Sequence, residues 1–258
     1  YTKQGRRLPC FFHASLPSTN DEAKRLAREE GSGMRFSVAA AEQTAGRGRM
    51  TRTFFSPADC GLYLSFVSEA GERFTRFGVL AALAVKELLY EYFRIPVAFK
   101  WPNDVLAEGK KIAGILPESI VTAAGERKVV TGIGVNIFET EEDFGALKDI
   151  ATSASLCCKN EELKLGFMQD KRAFLQDAAV RLTELLSRAA DLERAGEDLL
   201  PDYRASLATL GRRVSFSGAD GALCTGVAAD VDEDGALLVE TAEGLLRVGW
   251  GEVTEQAL

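Results

Sequence analysis

Apolar residues recur along the chain with two different periods, and the changes of period outline its elements. Short continuous apolar runs at 36–41 and 62–67 read as buried strands. Ala23, Leu26 and Ala27 follow Ser18-Thr19-Asn20-Asp21-Glu22 at helical spacing, with Thr19 and Glu22 in capping-box register and Gly31 as the stop. This predicts a helix over about 20–30. Phe77, Leu80, Ala81, Ala84, Leu88 and Tyr92 recur at three and four, which predicts a second, largely buried helix over 76–93. Residues 97–99, 105–106, 111–121 and 127–137 read as consecutive strands, with turns at Glu108-Gly109-Lys110 and Ala124-Gly125-Glu126. An acidic, loop-like stretch over 139–149 precedes a helical region over about 167–207 that Pro201 interrupts. Beyond Gly211 the texture changes. Val214, Phe216, residues 225–227, 237–239 and 245–248 read as short strands, separated by Gly218, Gly221, Asp234-Gly235 and Gly244, and predict a small barrel.

The composition narrows the classes of function. A chain of 258 residues with 46% hydrophobic and 27% charged residues forms one large domain, or a core domain with a small appendage. Net charge −7 and a pI near 5.1 argue against non-specific nucleic-acid binding, which needs a broad basic face. No run approaches the roughly 18 apolar residues of a membrane span, and no signal-peptide core is visible. The expected compartment is the cytoplasm, with no membrane partner. Cys10, Cys60, Cys157, Cys158 and Cys224 have only His13 beside them, so neither a zinc site nor a disulfide framework is expected. Cys157 and Cys158 read as reduced residues near a helix start. A single histidine removes most Ser-His-Asp and Cys-His mechanisms, and His13 reads as structural.

Candidate chemistry concentrates in Gln43-Thr44-Ala45-Gly46-Arg47-Gly48-Arg49-Met50-Thr51-Arg52. No Asp or Glu occurs over 43–58, so this loop is a local anion site in an acidic chain. Guanidinium groups pair with carboxylate or phosphate, and glycines let the backbone approach a ligand. In Lys100-Trp101-Pro102-Asn103-Asp104, the proline holds Trp101 extended and places polar groups at a sheet end. Lys111-Ile112-Ala113-Gly114-Ile115 and Gly132-Ile133-Gly134-Val135-Asn136 add a strand-end lysine and glycines against which a flat ligand would lie. None of these is a Rossmann or Walker A motif. Each alone has a bland reading as a solvated loop, a hairpin lysine or a bulge. Together they describe a site for an anionic, partly apolar ligand, either a nucleotide or an acyl phosphate.

With Ser18-Thr19-Asn20 these motifs resemble, in order and approximate spacing, bacterial biotin protein ligases, also called biotin acetyl-CoA-carboxylase ligases. The resemblance runs on through Phe144, Leu147 and Ala151-Thr152-Ser153 to Trp250-Gly251-Glu252-Val253. It implies an α+β fold: a mixed β-sheet flanked by helices, of the class II synthetase-like biotin/lipoate ligase type, with a small C-terminal SH3-like β-barrel. Residues 1–209 would be the catalytic domain and 210–258 the barrel. Repressor members carry an N-terminal winged helix-turn-helix. Only 17 residues precede Ser18 here, so the form without a DNA-binding domain is expected, with no DNA partner.

The resemblance also implies the chemistry. Biotin attacks the α-phosphate of ATP to give biotinyl-adenylate, with Mg²⁺, and a lysine of a biotin carboxyl carrier protein then attacks that mixed anhydride. Arg47, Arg49 and Lys111 would neutralise carboxylate and phosphate. Asp104 would orient the incoming lysine or hold Mg²⁺, and these two roles stay open. Ser18, Thr19, Asn20 and Gln43 would bind the ureido side of biotin, beside the main chain at Gly46, Gly114 and Gly132. Phe54, Lys100, Asn103 and Asn136 would join the two loop arginines on the ATP side. Thr51 and Phe54 stand where many relatives have Gly and Trp, and Pro117 removes a ladder donor from a strand. A lipoate or octanoate ligase or transferase, a non-catalytic biotinyl-adenylate sensor, and a homodimer remain alternatives.

Overall fold

The apolar runs pair into one mixed sheet in a computed structural model that describes residues 8–29, 34–50, 52–70, 74–217, 221–249 and 253–255. Gly31, Thr51, Gly218 and Trp250-Gly251-Glu252 lie outside the described residues. Among the described residues the sheet has seven strands: β1 (Cys10–His13), β2 (Phe36–Ala40), β3 (Gly61–Glu69), β4 (Ala98–Lys100), β5 (Asp104–Ala107), β6 (Lys110–Val121) and β7 (Arg127–Asn136). Their order is β1-β2-β3-β7-β6-β5-β4. The β1–β2 pair is parallel and the other neighbours are antiparallel. The central strands are buried along nearly their whole length because helices cover both faces.

Helix α1 (Thr19–Glu29) lies over β2, β3 and β7 on one face. Ala23 and Ala27, one turn apart, let it close a small core with Phe36, Val38, Val67, Ile120 and Val130. The expected capping box at Thr19 does not form. Ser18 Oγ accepts from Asp21 N at 3.4 Å, Thr19 is already helical, and Glu22 pairs with Arg25 instead. On the opposite face α2 (Arg76–Phe93) packs against β5, β6 and β7. It is buried on almost every side, since another helix described below covers it from outside.

Three departures from the sequence reading concern the stretch after β7. The acidic segment contains α3 (Glu141–Phe144), whose ends are fixed by a capping box between Thr140 and Asp143. Cys157 closes α4 (Ala154–Cys157) and Cys158 caps it, so the pair stands at a helix end; both are buried free thiols. The expected single helical region is α5 (Glu161–Met168), α6 (Lys171–Arg194) and α7 (Leu200–Ala205). Gly196, at φ +86°, follows the end of α6, whereas Pro201 sits in the first turn of α7, where its missing N–H costs nothing. α6 covers α2 and reaches β1, β2 and β3.

β6 runs through Pro117 without a break. Ile115 N donates to Asn103 O on the β5 side, so with a period of two the nitrogen of Pro117 faces the same side, beyond the last β5 partner at Gly114. β7 pairing continues on the other edge, at Pro117 opposite Thr131.

The C-terminal strands β8 (Arg213–Ser217), β9 (Leu223–Val231), β10 (Leu237–Thr241), β11 (Gly244–Val248) and β12 (Val253–Glu255) form an antiparallel sheet in the order β11-β10-β9-β8-β12. Among the described residues β11 and β12 are its two edges, so the element expected as a barrel is a five-stranded sheet. Its Val214, Phe216, Val231, Leu237 and Val239 belong to the same core as the large sheet and α2.

Candidate active site

Four segments distant in sequence meet at one end of the large sheet: the start of α1, the arginine loop after β2, the turn between β4 and β5, and the facing ends of β6 and β7. They enclose a cavity of about 480 Å³, with Val253 and Thr254 of β12 as part of its wall. Among the described residues Arg47, Arg49, Arg52, Lys100 and Lys111 line it, against one lining carboxylate, Asp104. The charge balance of the wall is therefore that of an anion site inside a chain of net charge −7.

The loop is folded by its own backbone. Gly48 N donates to Arg52 O at 2.6 Å, Arg52 N to Arg49 O at 3.0 Å and Phe54 N to Gly46 O at 3.0 Å. A Cβ on Gly46 would strike Phe54 O and Ser56 Oγ at about 2.5–2.6 Å, so this glycine serves closure of the loop. It is buried beneath the loop and does not line the cavity, contrary to the expectation that its main chain borders the ligand. Arg49 Nη1 donates to Asn103 Oδ1 at 3.1 Å, which ties the loop to the β4–β5 turn. Arg47 Nη2 meets Asp21 Oδ1 at 2.5 Å and Glu118 Oε2 at 3.4 Å.

Opposite the loop stands the rigid wall. Lys111 Nζ is 2.6 Å from Asp104 Oδ1 and 5.8 Å from the centre of the Phe54 ring. The Phe54 ring occupies the space that side chains at Gly134 and Gly114 would fill, and the Asn20 amide fills that of Gly132. These glycines make room for protein side chains and also line the cavity. Trp101 is buried; its backbone N donates to Thr209 Oγ1 and its Nε1 to Gly235 O, both at 3.0 Å. The Trp101–Pro102 peptide is cis.

Thr19, Asn20 and Gln43 give the α1 end of the cavity neutral lining side chains. Gln43 Oε1 accepts from Thr19 N at 2.9 Å and lies 3.1 Å from Thr19 Oγ1, while Gln43 Nε2 donates to Ser56 Oγ at 3.1 Å. Asn20 Nδ2 donates to Glu118 Oε2 at 2.6 Å and to Leu116 O at 3.3 Å. Burial raises the Glu118 pKa, but hydrogen bonds from Lys24 and Asn20 and the charges of Lys24 and Arg47 outweigh it. The carboxylate is held below its usual range.

Of the residues singled out from the sequence, Ser18, Thr19, Asn20, Gln43, Arg47, Arg49, Phe54, Lys100, Asn103, Asp104, Lys111, Gly114 and Gly132 converge here. Asn136 does not. Its amide nitrogen donates to Thr152 O at 2.9 Å and Lys111 O at 3.4 Å, so it holds the strand that carries Lys111. Sequence reasoning missed Asp21, Glu118 and Ser65, which surround the lining residues. Their only signal was position, one residue after Ser18-Thr19-Asn20 for Asp21 and two strand residues beyond Leu116 for Glu118. Among the described residues no group of three His, Cys, Asp or Glu is placed to hold a metal ion, and no helix is long and apolar enough to cross a membrane.

The biotin/lipoate A/B protein ligase family model matches residues 12–136, and the biotin protein ligase C-terminal domain model matches residues 209–254. The bifunctional ligase/repressor BirA of Bacillus subtilis is 32% identical over 245 residues, covering 92% of this chain and 71% of the relative. A biotin acetyl-CoA-carboxylase ligase of Mycobacterium tuberculosis is 33% identical over 223 residues, covering 84% and 77%. The solved biotin protein ligase from Aquifex aeolicus in complex with biotin and ATP superposes with a TM-score of 0.72 at 27% identity, covering 96% of this chain and 98% of that one. Sequence likeness over most of both chains, the shared mixed-sheet fold and the cationic cavity agree, and the chain belongs to the biotin protein ligase family.

Proposed function

We propose that this chain is an ATP-dependent biotin ligase that makes biotinyl-5′-AMP and passes the biotinyl group to a lysine of a biotin carboxyl carrier protein. The observation that carries this reading is the make-up of the cavity wall: neutral hydrogen-bonding groups at Thr19, Asn20 and Gln43 beside α1, cations at Arg49 and Lys111 by the β4–β5 turn, and Arg47 in the same wall, tied back to Asp21 and Glu118. A ligand with a neutral polar head and a carboxylate tail fits that wall. Residues 1–209 form the catalytic part and 210–258 the C-terminal part, which adds Val253 and Thr254 to the cavity wall.

In the first step a carboxylate oxygen of biotin bonds to the α-phosphorus of ATP, and pyrophosphate leaves. Two anions must approach, so cations that neutralise both lower the barrier in a water-poor site. Arg47 and Arg49 act from the loop and Lys111 from the rigid strand. Asp104, paired with Lys111, keeps the ammonium at the sheet end until the anions arrive. Asp104 is the lining carboxylate that would help hold Mg²⁺, which would supply further neutralisation of phosphate charge. In the second step the carrier lysine, as a neutral amine, bonds to the acyl carbon and AMP leaves.

The test is incubation with ATP, biotin and an apo carrier domain, read by intact mass. A gain of one biotinyl group on the carrier, dependent on ATP, is the expected result. ATP-dependent attachment of a lipoyl or octanoyl group in its place would move the chain to the other branch of the family.

A further inference from the structure

Three oxygen–oxygen contacts join the groups at the α1 end of the cavity, and only two protons are available to fill them. Ser65 Oγ lies 2.5 Å from Asn20 Oδ1 and 2.8 Å from Thr19 Oγ1, and Thr19 Oγ1 lies 3.1 Å from Gln43 Oε1. Both ends of this relay are fixed as acceptors. Gln43 is oriented because its Oε1 takes the Thr19 backbone N–H, which only donates, while its Nε2 binds Ser56 Oγ, whose proton goes to Phe54 O. Asn20 is oriented because both N–H groups of its amide are taken, by Glu118 Oε2 and Leu116 O. The two hydroxyls between, Thr19 and Ser65, carry one proton each.

We infer that Glu118 is a specificity-determining positioning residue: by holding the Asn20 amide with its oxygen toward Ser65, it leaves the relay one proton short and so selects a ligand that brings its own N–H donor. With the Asn20 amide reversed, the nitrogen would donate to Ser65, Ser65 to Thr19 and Thr19 to Gln43, and no acceptor would be left over. An ionised carboxylate only accepts, and Glu118 is kept ionised by Lys24 at 2.7 Å. Its place is behind the lining residues, in contact with Asn20, so it acts on the ligand through them. A cyclic urea, which presents ring N–H groups, supplies the missing proton; a ring without N–H does not. This rests on the biotin reading above.

The experiment measures binding to the full chain by titration calorimetry, with biotin and with an analogue whose two ring N–H groups are replaced by oxygen. Glu118→Gln puts donors beside Asn20 or Lys24 and removes the constraint. Biotin is expected to bind about tenfold more weakly, the equivalent of one net hydrogen bond, while the oxygen analogue changes less than about twofold. Ser65→Ala breaks the relay, so Glu118→Gln should have almost no further effect in that background. Equal losses for biotin and the analogue, or effects that add across the two substitutions, would overturn the relay and leave Glu118 a local charge partner. Thermal melts of each variant check folding, and Ser65→Ala alone must already narrow the preference for biotin over the analogue. Failure of the unaltered chain to bind biotin at all would instead remove the biotin reading.

Discussion

The Lys111 ammonium stands 2.6 Å from the Asp104 carboxylate, across the hairpin that joins β5 and β6. Both side chains are about one-third exposed, at 34% and 27%, so the pair contributes at most about 1 kcal/mol to folding. Its value lies in the chemistry. Lys111→Ala should lower pyrophosphate release by about 10²-fold or more, the usual cost of removing one donor aimed at developing charge. The melting temperature should stay close to that of the parent. Near-normal release in the variant would take Lys111 out of the reaction.

The Arg49–Asn103 contact predicts a different phenotype for the loop. Arg49 reaches the β4–β5 turn with a 3.1 Å hydrogen bond to Asn103, so it links a loop closed on itself to the rigid wall. Arg49→Gly removes that link and a cation together. Adenylate should still form, yet leave at least about tenfold faster, since hydrogen bonds to charged groups are worth about 1.5–3 kcal/mol. Escaped adenylate would label bystander lysines. The dissociation rate of biotinyl-adenylate and the labelling of albumin are measured side by side; no change in either would return the loop to an ordinary binding surface.

The cationic half of the site was legible because arginines and glycines crowd into one acid-free stretch, and because Pro102 and the strand-end Lys111 mark sheet ends. Its restraints were not. Asp21 reaches Arg47 across 26 positions and Glu118 across 71, and no local pattern encodes such pairings. Asn136 stays off the cavity wall for a related reason. Strand parity puts it on the face of Gly132 and Gly134, but its amide is drawn to Thr152 O by a long-range contact. β1 and α3 escaped notice because four residues are too few for a period to show. The long elements, α2, β6 and β7, were plain in the sequence, since their burial alone sets their pattern.

Trp101 joins the catalytic turn to the C-terminal sheet. Its Nε1 and the Gly235 carbonyl are buried, and Thr75 donates to the neighbouring Asp234 O. Trp101→Phe leaves Gly235 O without its donor, at a cost of about 1–3 kcal/mol. Urea unfolding should show that loss. The KM for ATP should rise as well, because Asn103 and Asp104 follow Trp101 directly. A variant as stable as the parent would mean that water replaces the indole at Gly235.

Glu139 predicts how stability changes with pH. The residue is fully buried, its Oε2 has no hydrogen-bond partner among the described residues, and its Oε1 lies 3.4 Å from the Tyr63 hydroxyl. Burial pushes its pKa from 4.5 up to about 8, against backbone hydrogen bonds at Glu139 and Ile137 and the Tyr63 hydroxyl, which pull it down. Between those two values the native state holds a proton that the unfolded chain has lost, so stability falls as pH rises. The stability is therefore complete below about 4.5, declines through the window, and levels off above about 8. The integrated loss is on the order of a few kcal/mol, since each unit is worth about 1.4 kcal/mol. Glu139→Gln stays neutral throughout and should remove this slope. Urea unfolding at pH 5 and pH 8.5 should then give similar midpoints at the lower pH and a more stable variant at the higher one. Parallel curves for the two proteins across the window would show that Glu139 is already ionised in the folded state, with a partner for its second oxygen.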